Sequence, residues 1–351
     1  MSRLTLVRHV ESVVIAAATI LLVLPVRAEM NAASTQAVEG ASAVPFVAQV
    51  VGLAWLNPLQ RRDYPTERQM QWTLGLVKPN LRGEIASMFE IGNPSAKDLW
   101  SRDTPPDVHV TSGQGNAGFT SLNAALDYLA AHPDKSIWVM NWDAPSFPPQ
   151  DEQTNENMVL LFLAGPNLKT EREPLAWIGK AARSNIDDFE TKRGMSRVVQ
   201  ASASTIDAAA SNAGVTVSSL NYVIHDAGKG NDAASTRAAV LSRSLTEVRP
   251  EYDLRAQTFN TSALLGDMGA GAALTDVALA IGRAKHLGGN VLVAGTTDTE
   301  HPTAVVVAAP SKLTPIDTSK NWFRARGENN ACLPWWGRRH DARPASQGYS
   351  E

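Results

Sequence analysis

Residues 221–245 read NYVIHDAGKGNDAASTRAAVLSRSL: a short apolar run, a His-Asp pair, two glycines and a helix-forming stretch. An imidazole at the end of a strand is the side chain best suited to moving protons near neutral pH. His225 and Asp226 are therefore the first candidates for chemistry, with Lys229 and Asp232 in the loop behind them. Asp267 lies in a second glycine-rich stretch, LLGDMGAGAAL. His225 and Asp226 are neighbours in sequence, so at a strand end their side chains point opposite ways. That geometry does not let a carboxylate orient the imidazole. A thiol nucleophile must come from Cys332, the one cysteine in the chain, and no intramolecular disulfide can form. The chain contains no Gly-x-Ser-x-Gly elbow, His-Glu-x-x-His pair or phosphate-cradling Gly-rich Lys-Ser/Thr motif. His109, His132, His286 and His301 are dispersed near expected element ends, so neither a metal site nor a cofactor is expected.

The elements that must position these residues come from a duplication. In TSGQGNAGFTSLNAALDYLAAHPDKSIWVMNWD, Gly113, Gly115 and Gly118 precede Leu122, Ala125, Leu126 and Leu129, a single helical stripe. His132-Pro133-Asp134 ends that helix, and Ile137 to Met140 reads as a buried strand. In LLGDMGAGAALTDVALAIGRAKHLGGNVLVAGTTD, Gly266, Gly269 and Gly271 precede Leu274, Val277, Ala278 and Ile281 at the same spacing. Gly288-Gly289 stops this second helix, and Val291 to Ala294 is its strand. Each copy continues through an aspartate, Asp143 or Asp298, into another apolar run, Met158–Pro166 or Thr303–Pro310. Such continuous runs suit strands buried on both faces. Upstream of the second copy, Met195, Val198, Val199 and Ile206 form a helix face, Gly214 caps it, and Leu220 to Ile224 is a strand leading to His225. Helices alternating with strands predict an α/β protein of layered helices and sheets.

The ends of the chain carry different signals. Arg3 and Arg8 precede an apolar run from Val13 to Val26, and Val26-Arg27-Ala28 offers small residues for a signal peptidase. The run is shorter than the ~20 apolar residues of a comfortable membrane span. Two readings stand for residues 1–28: a leader cleaved after Ala28, or an uncleaved inner-membrane anchor. Both export the remainder, to the periplasm or the membrane's outer face. At the other end Trp322, Phe323, Trp335 and Trp336 alternate with arginines, a composition found in protein-interface hot spots. Packing of those tryptophans over the core is the competing reading. Phe46 to Trp55 reads as a strand and Glu67 to Leu76 as a helix; the stretches 93–106 and 145–155 read as exposed loops. With 351 residues, 44% hydrophobic, 19% charged and a net charge of -3, the composition is that of a globular protein and gives no case for nucleic acid.

Two related halves, each a glycine-rich loop feeding a core helix and then a strand pair, resemble the thiolase and ketoacyl-synthase superfamily. The resemblance is best over residues 192–310 and weaker over 105–166. It implies a thiolase-like layered sandwich built from two duplicated halves, 29–190 and 191–315, with 316–351 as a Trp/Arg-rich extension. It also implies a homodimer. In that superfamily the segment around the histidine normally reads His-Gly-Thr-Gly-Thr, then Gly-Asp and a glutamate-bearing helix; His225 and Asp232 match its ionisable positions. The departures matter more. The nucleophile should be a thiolate at a helix N-terminus, yet the matching stretch GNAGFTSLN has no cysteine, and its hydroxyls Thr120 and Ser121 read as N-cap residues. The second histidine falls at Asp267, which cannot donate to a developing oxyanion unless protonated. Asp226 and Lys229 stand where small neutral residues are expected. The pattern implies a degenerate pocket of His225, Asp226, Lys229, Asp232 and Asp267 with no catalytic set.

More narrowly, the chain resembles the type VI secretion lipase adapter proteins of Gram-negative bacteria, in its exported N-terminus, in VGLAWLNPLQRRDYPTERQMQWTLGL, and in an α/β body lacking a catalytic set. That resemblance implies a non-enzymatic protein that binds a phospholipase effector and helps present it to the secretion spike. The alternative is an exported acyltransferase or hydrolase that uses His225 with another nucleophile.

Overall fold

The computed structural model describes residues 45–59, 107–113, 115–143, 155–170 and 173–316, the backbone of 18–24, and the isolated positions 83, 332–333 and 337–338. The expected helix at 67–76, the loops at 93–106 and 145–154, and Trp322, Phe323, Trp335 and Trp336 lie outside the described residues, as do the leader residues other than 18–24.

Helix α1 (Ala117–Ala131) and helix α5 (Ala272–Leu287) are the two copies of the duplicated helix. Leu122, Ala125, Leu126 and Leu129 of α1, and Leu274, Val277, Ala278 and Ile281 of α5, are all buried in one hydrophobic cluster. Each buried leucine contributes roughly 2 kcal/mol, so these two stripes anchor the middle of the molecule. α1 ends at His132, whose N–H donates to the carbonyls of Tyr128 and Leu129. α5 ends at Gly288, which takes the φ of 77° that glycine tolerates without a Cβ penalty.

Around them runs one sheet. Its strands are β1 (Ala18–Leu24), β2 (Ala48–Leu59), β3 (Asp107–Ser112), β4 (Ser136–Asp143), β5 (Glu156–Ala164), β6 (Ala176–Ile178), β7 (Ala182–Arg183), β8 (Leu220–His225), β9 (Thr258–Asn260), β10 (Asn290–Gly295) and β11 (Thr303–Ala308). The order is β3-β1-β4-β5-β2-β6-β11-β10-β8-β9, with β7 also on β11. The two halves meet at the antiparallel pair β2–β6. Reading outward from that pair, β2, β5, β4 and β3 occupy the same positions as β6, β11, β10 and β9, with the same relative directions. Only one slot differs. Between β10 and β9 lies β8, parallel to both; between β4 and β3 lies β1, antiparallel to both.

Residues 18–24 of the run expected to be the apolar core of a leader thus pair in the sheet, where they complete the first half in the reverse direction. No helix among the described residues is long and apolar enough to cross a membrane.

Helix α2 (Arg197–Asn212) and helix α3 (Asp232–Val248) cover the outer face of the second half. Ile206, Ala209, Leu241 and Leu245 pack there on Val223, Leu292 and Val306. Ser196 caps α2 by accepting from Val199 N–H, and Gly214 beyond its end has a φ of 69°. β4 and β10 extend one to three residues beyond the apolar cores expected of them, because ladder pairing continues through Asp143 and Gly295. Cys332–Leu333 (β12) pairs with Gly337–Arg338 (β13) in a separate two-stranded sheet.

Candidate functional site

β8 ends at His225, and the chain then turns through Gly228 and Gly230, both at positive φ, into α3. Asn231 caps α3 by accepting from Ala234 N–H at 2.7 Å. The loop is pinned from the side by Asn260, whose Nδ2 donates to Gly228 O at 2.7 Å while its Oδ1 accepts from Gly228 N–H at 3.0 Å. The same Oδ1 accepts from Ala263 N–H and caps the short helix α4 (Thr261–Leu265). One asparagine therefore locks two loops together.

His225 is buried. Ala227 N–H donates to its Nδ1 at 3.2 Å, and Thr261 Oγ1 donates to its carbonyl at 2.9 Å. With Nδ1 an acceptor, the ring proton of the neutral imidazole lies on Nε2. Burial pushes its pKa down to about 4, so the ring is neutral at physiological pH. Asp226 faces away from it. Thr296 donates to Asp226 Oδ1 through both N–H and Oγ1, each at 2.7 Å, and Thr297 Oγ1 reaches Oδ2 at 3.4 Å. Burial pushes this carboxyl's pKa up, opposed by the Thr296 hydrogen bonds and the nearby Arg237. The carboxylate holds the β10–β11 loop and does not orient the imidazole.

The remaining expected residues are not brought to this point. Lys229 and Asp232 are exposed, Asp232 in the first turn of α3. Asp267 is exposed as well; it accepts from Gly269 N–H at 2.9 Å and shapes the turn before α5. Of the five, only His225 and Asp226 are buried.

At the first turn of α1, Thr120 and Ser121 do not cap the helix. The N-cap is Asn116, with no side-chain cap bond, and Thr120 and Ser121 sit inside the helix, Ser121 buried and Thr120 exposed. The apolar stripe begins at Leu122, but the helix starts a turn earlier, where Gly118 lets it approach the start of α5. A Cβ on Gly118 would lie 2.9 Å from Asn141 Oδ1 and 3.0 Å from both Ala273 Cβ and Leu274 Cγ. Asn116 Nδ2 donates to Thr303 Oγ1 at 3.4 Å, tying this helix start to β11 of the other half. The turn where a nucleophile would be sought is filled by close backbone packing.

Other polar residues join the halves, and sequence reasoning did not assign them. Ala270 N–H donates to Asp143 Oδ2 at 2.8 Å, placing a carboxylate at the N-terminal end of α5, where the helix dipole favours it. Asn157 Nδ2 donates to Asn155 O at 2.7 Å and Met268 O at 2.9 Å. Asp276, fully enclosed in α5, has its pKa pushed well up by burial and by the Asp226 charge. A sequence signal existed for Asp143, since it follows the duplicated strand; for Asp276, inside an apolar helix, the signal was an acid out of place in the stripe. No cluster among the described residues has the ligands for a metal ion.

This arrangement of two halves with helices between them can be compared with known folds. The ketosynthase domain KS8 of OzmH, from the oxazolomycin pathway of Streptomyces albus JA3453, superimposes with a TM-score of 0.50 at 11% identity, covering 78% of this chain and 98% of that one. The ketosynthase from module 6 of the bacillaene synthase of Bacillus subtilis 168 gives 0.50 at 11%, covering 76% and 71%. At such identities the likeness is one of fold, and the fold is thiolase-like. No curated protein matches the chain significantly. On this thiolase-like fold, residues 188–309 match the family described as the type VI lipase adapter protein Tla3, C-terminal.

Proposed function

We propose that this protein is a non-catalytic adapter: an exported thiolase-like scaffold that binds a type VI lipase effector and assists its delivery to the secretion spike. The family match over residues 188–309 supports the adapter reading. The observation that carries the non-catalytic part is the state of His225. Its Nδ1 is occupied by a backbone N–H of its own loop, and its neighbouring acid is committed to Thr296 and Thr297. An imidazole whose Nδ1 accepts a hydrogen bond and whose Nε2 carries the proton has no free nitrogen to act as a base, and the duplicated core has no thiol for it to activate. Fold and chemistry are separable, so a scaffold of this kind outlasts its reactive groups.

The acyltransferase or hydrolase reading makes the opposite demand, that turnover run through His225. Purified chain is assayed with p-nitrophenyl esters and acyl thioesters, beside its His225→Gln variant, and its co-purification with the phospholipase effector is scored in parallel. The expected result is no saturable turnover in either form and capture of the effector by both. Turnover that disappears with His225→Gln would establish the enzyme reading instead.

A further inference from the structure

On the outer face of the second half, a cavity of about 270 Å³ opens between α2, α3, the C-terminal end of β10 and the start of β11. Apolar side chains from α2 (Val198, Ile206), α3 (Val240, Leu241) and β11 (Ala304) supply most of its exposed surface, with serine and threonine side chains set among them. Ligand sites are concave and mostly apolar, with a few placed polar groups that fix orientation. Here the placed group is Arg237, half-buried at the rim. Its Nε and Nη2 both donate to Ala227 O, at 3.1 and 2.9 Å, which fixes the plane of the guanidinium. Its Nη1 makes no hydrogen bond among the described residues. The one acid in the lining, Asp298, is already engaged by the N–H groups of Glu300 and His301 and by the His301 ring. The cavity therefore has one oriented guanidinium in its lining, with the buried Asp226 carboxyl nearby, beside a mostly apolar slot.

We propose that this cavity binds a free medium-chain fatty acid, its tail between α2 and α3 and its carboxylate on Arg237 Nη1. A volume just below the range for drug-sized pockets (about 300 Å³ and up) admits one slim chain and excludes a two-tailed lipid. A charge-assisted hydrogen bond from a held guanidinium to a carboxylate is stronger than a neutral one. This inference is independent of the adapter role and would survive its failure.

The test is calorimetric titration of the full chain with hexanoate, octanoate, decanoate, decanol and dioctanoyl phosphatidylglycerol. Affinity is expected to tighten roughly fourfold per added methylene up to the cavity's limit. Arg237→Gln, which keeps a donor for Ala227 O, should weaken decanoate at least about tenfold and leave decanol unchanged. Val240→Phe, at a half-buried wall position, should abolish both, with melting temperatures showing that each variant is folded. Absent saturable binding, equal decanoate affinity in wild type and Arg237→Gln, or tighter binding of the two-tailed lipid would each overturn the proposal.

Discussion

His225 and its neighbours set how stability responds to acid. A histidine whose folded pKa lies at about 4, against an ordinary value of 6.5, binds its proton more readily in the unfolded chain. Stability from this residue is therefore fully present above pH 6.5 and is lost as pH falls toward 4. The shift corresponds to about 3 kcal/mol. Asp226 and Asp276 act in the opposite sense: their carboxyls are pushed up by burial, so their contribution is present at low pH and lost as pH rises. Comparing wild type with His225→Gln by denaturant unfolding isolates the histidine. The loss of stability between pH 6.5 and 4 should be about 3 kcal/mol smaller in the variant. An unchanged pH profile would mean the imidazole is solvated. His225 and Asp226 were legible in the sequence because a short apolar run ends on them. Asn260 was not, since an asparagine that clamps a loop 32 residues away leaves no local pattern. Lys229, Asp232 and Asp267 stood close in sequence to the glycine loops but turn to solvent, because those loops curl through positive-φ glycines.

At the scale of elements, the close approach of α5 to its neighbours decides which side chains are admitted. A Cβ on Gly271 would fall 1.6 Å from Asn157 Oδ1, and Asn157 is held in place by its bonds to Asn155 O and Met268 O. Gly271→Ala should therefore destabilise by about 2–4 kcal/mol, from overpacking plus a broken buried amide, as read in thermal or urea unfolding. The gain in helix propensity that alanine normally brings is smaller, about 1 kcal/mol. The helical stripes of α1 and α5 were readable because 3.6-residue periodicity survives in any context. The start near Ala117 was readable too, but not that Asn116 is the N-cap and that Thr120 and Ser121 lie inside the helix.

The slot taken by β1 was also unreadable, because an apolar seven-residue run suits a leader and a strand equally well. Cleavage after Ala28 and a sheet containing Ala18–Leu24 exclude one another in one molecule. Removing β1 uncovers one edge of β4 from Ser136 to Trp142. Hydrogen exchange on residues 29–351 against the full chain should show β4 amides exchanging at least about tenfold faster in the shorter chain. Equal rates would mean another segment fills the slot.

At the largest scale, the main path of the sheet among the described residues is a pair of like halves that differ in the direction of one strand and are tied across their middle by polar contacts. Asp143 of the first half holds the start of α5 in the second, and Asn116 of the first reaches Thr303 of the second. The duplication announced this arrangement, since glycine loop, helix and strand pair recur in order in both copies. Which polar residues bridge the copies could not be read, because they lie more than a hundred residues apart in sequence. A scaffold so closely tied gives a partner a preformed surface, which limits the ordering cost of association. The most direct measurement is a calorimetric titration of the purified phospholipase effector into the chain and into His225→Gln. The adapter account predicts saturable binding with affinities equal within about twofold, since no bond-making step passes through the imidazole. Absence of binding to the effector by the folded chain would contradict it.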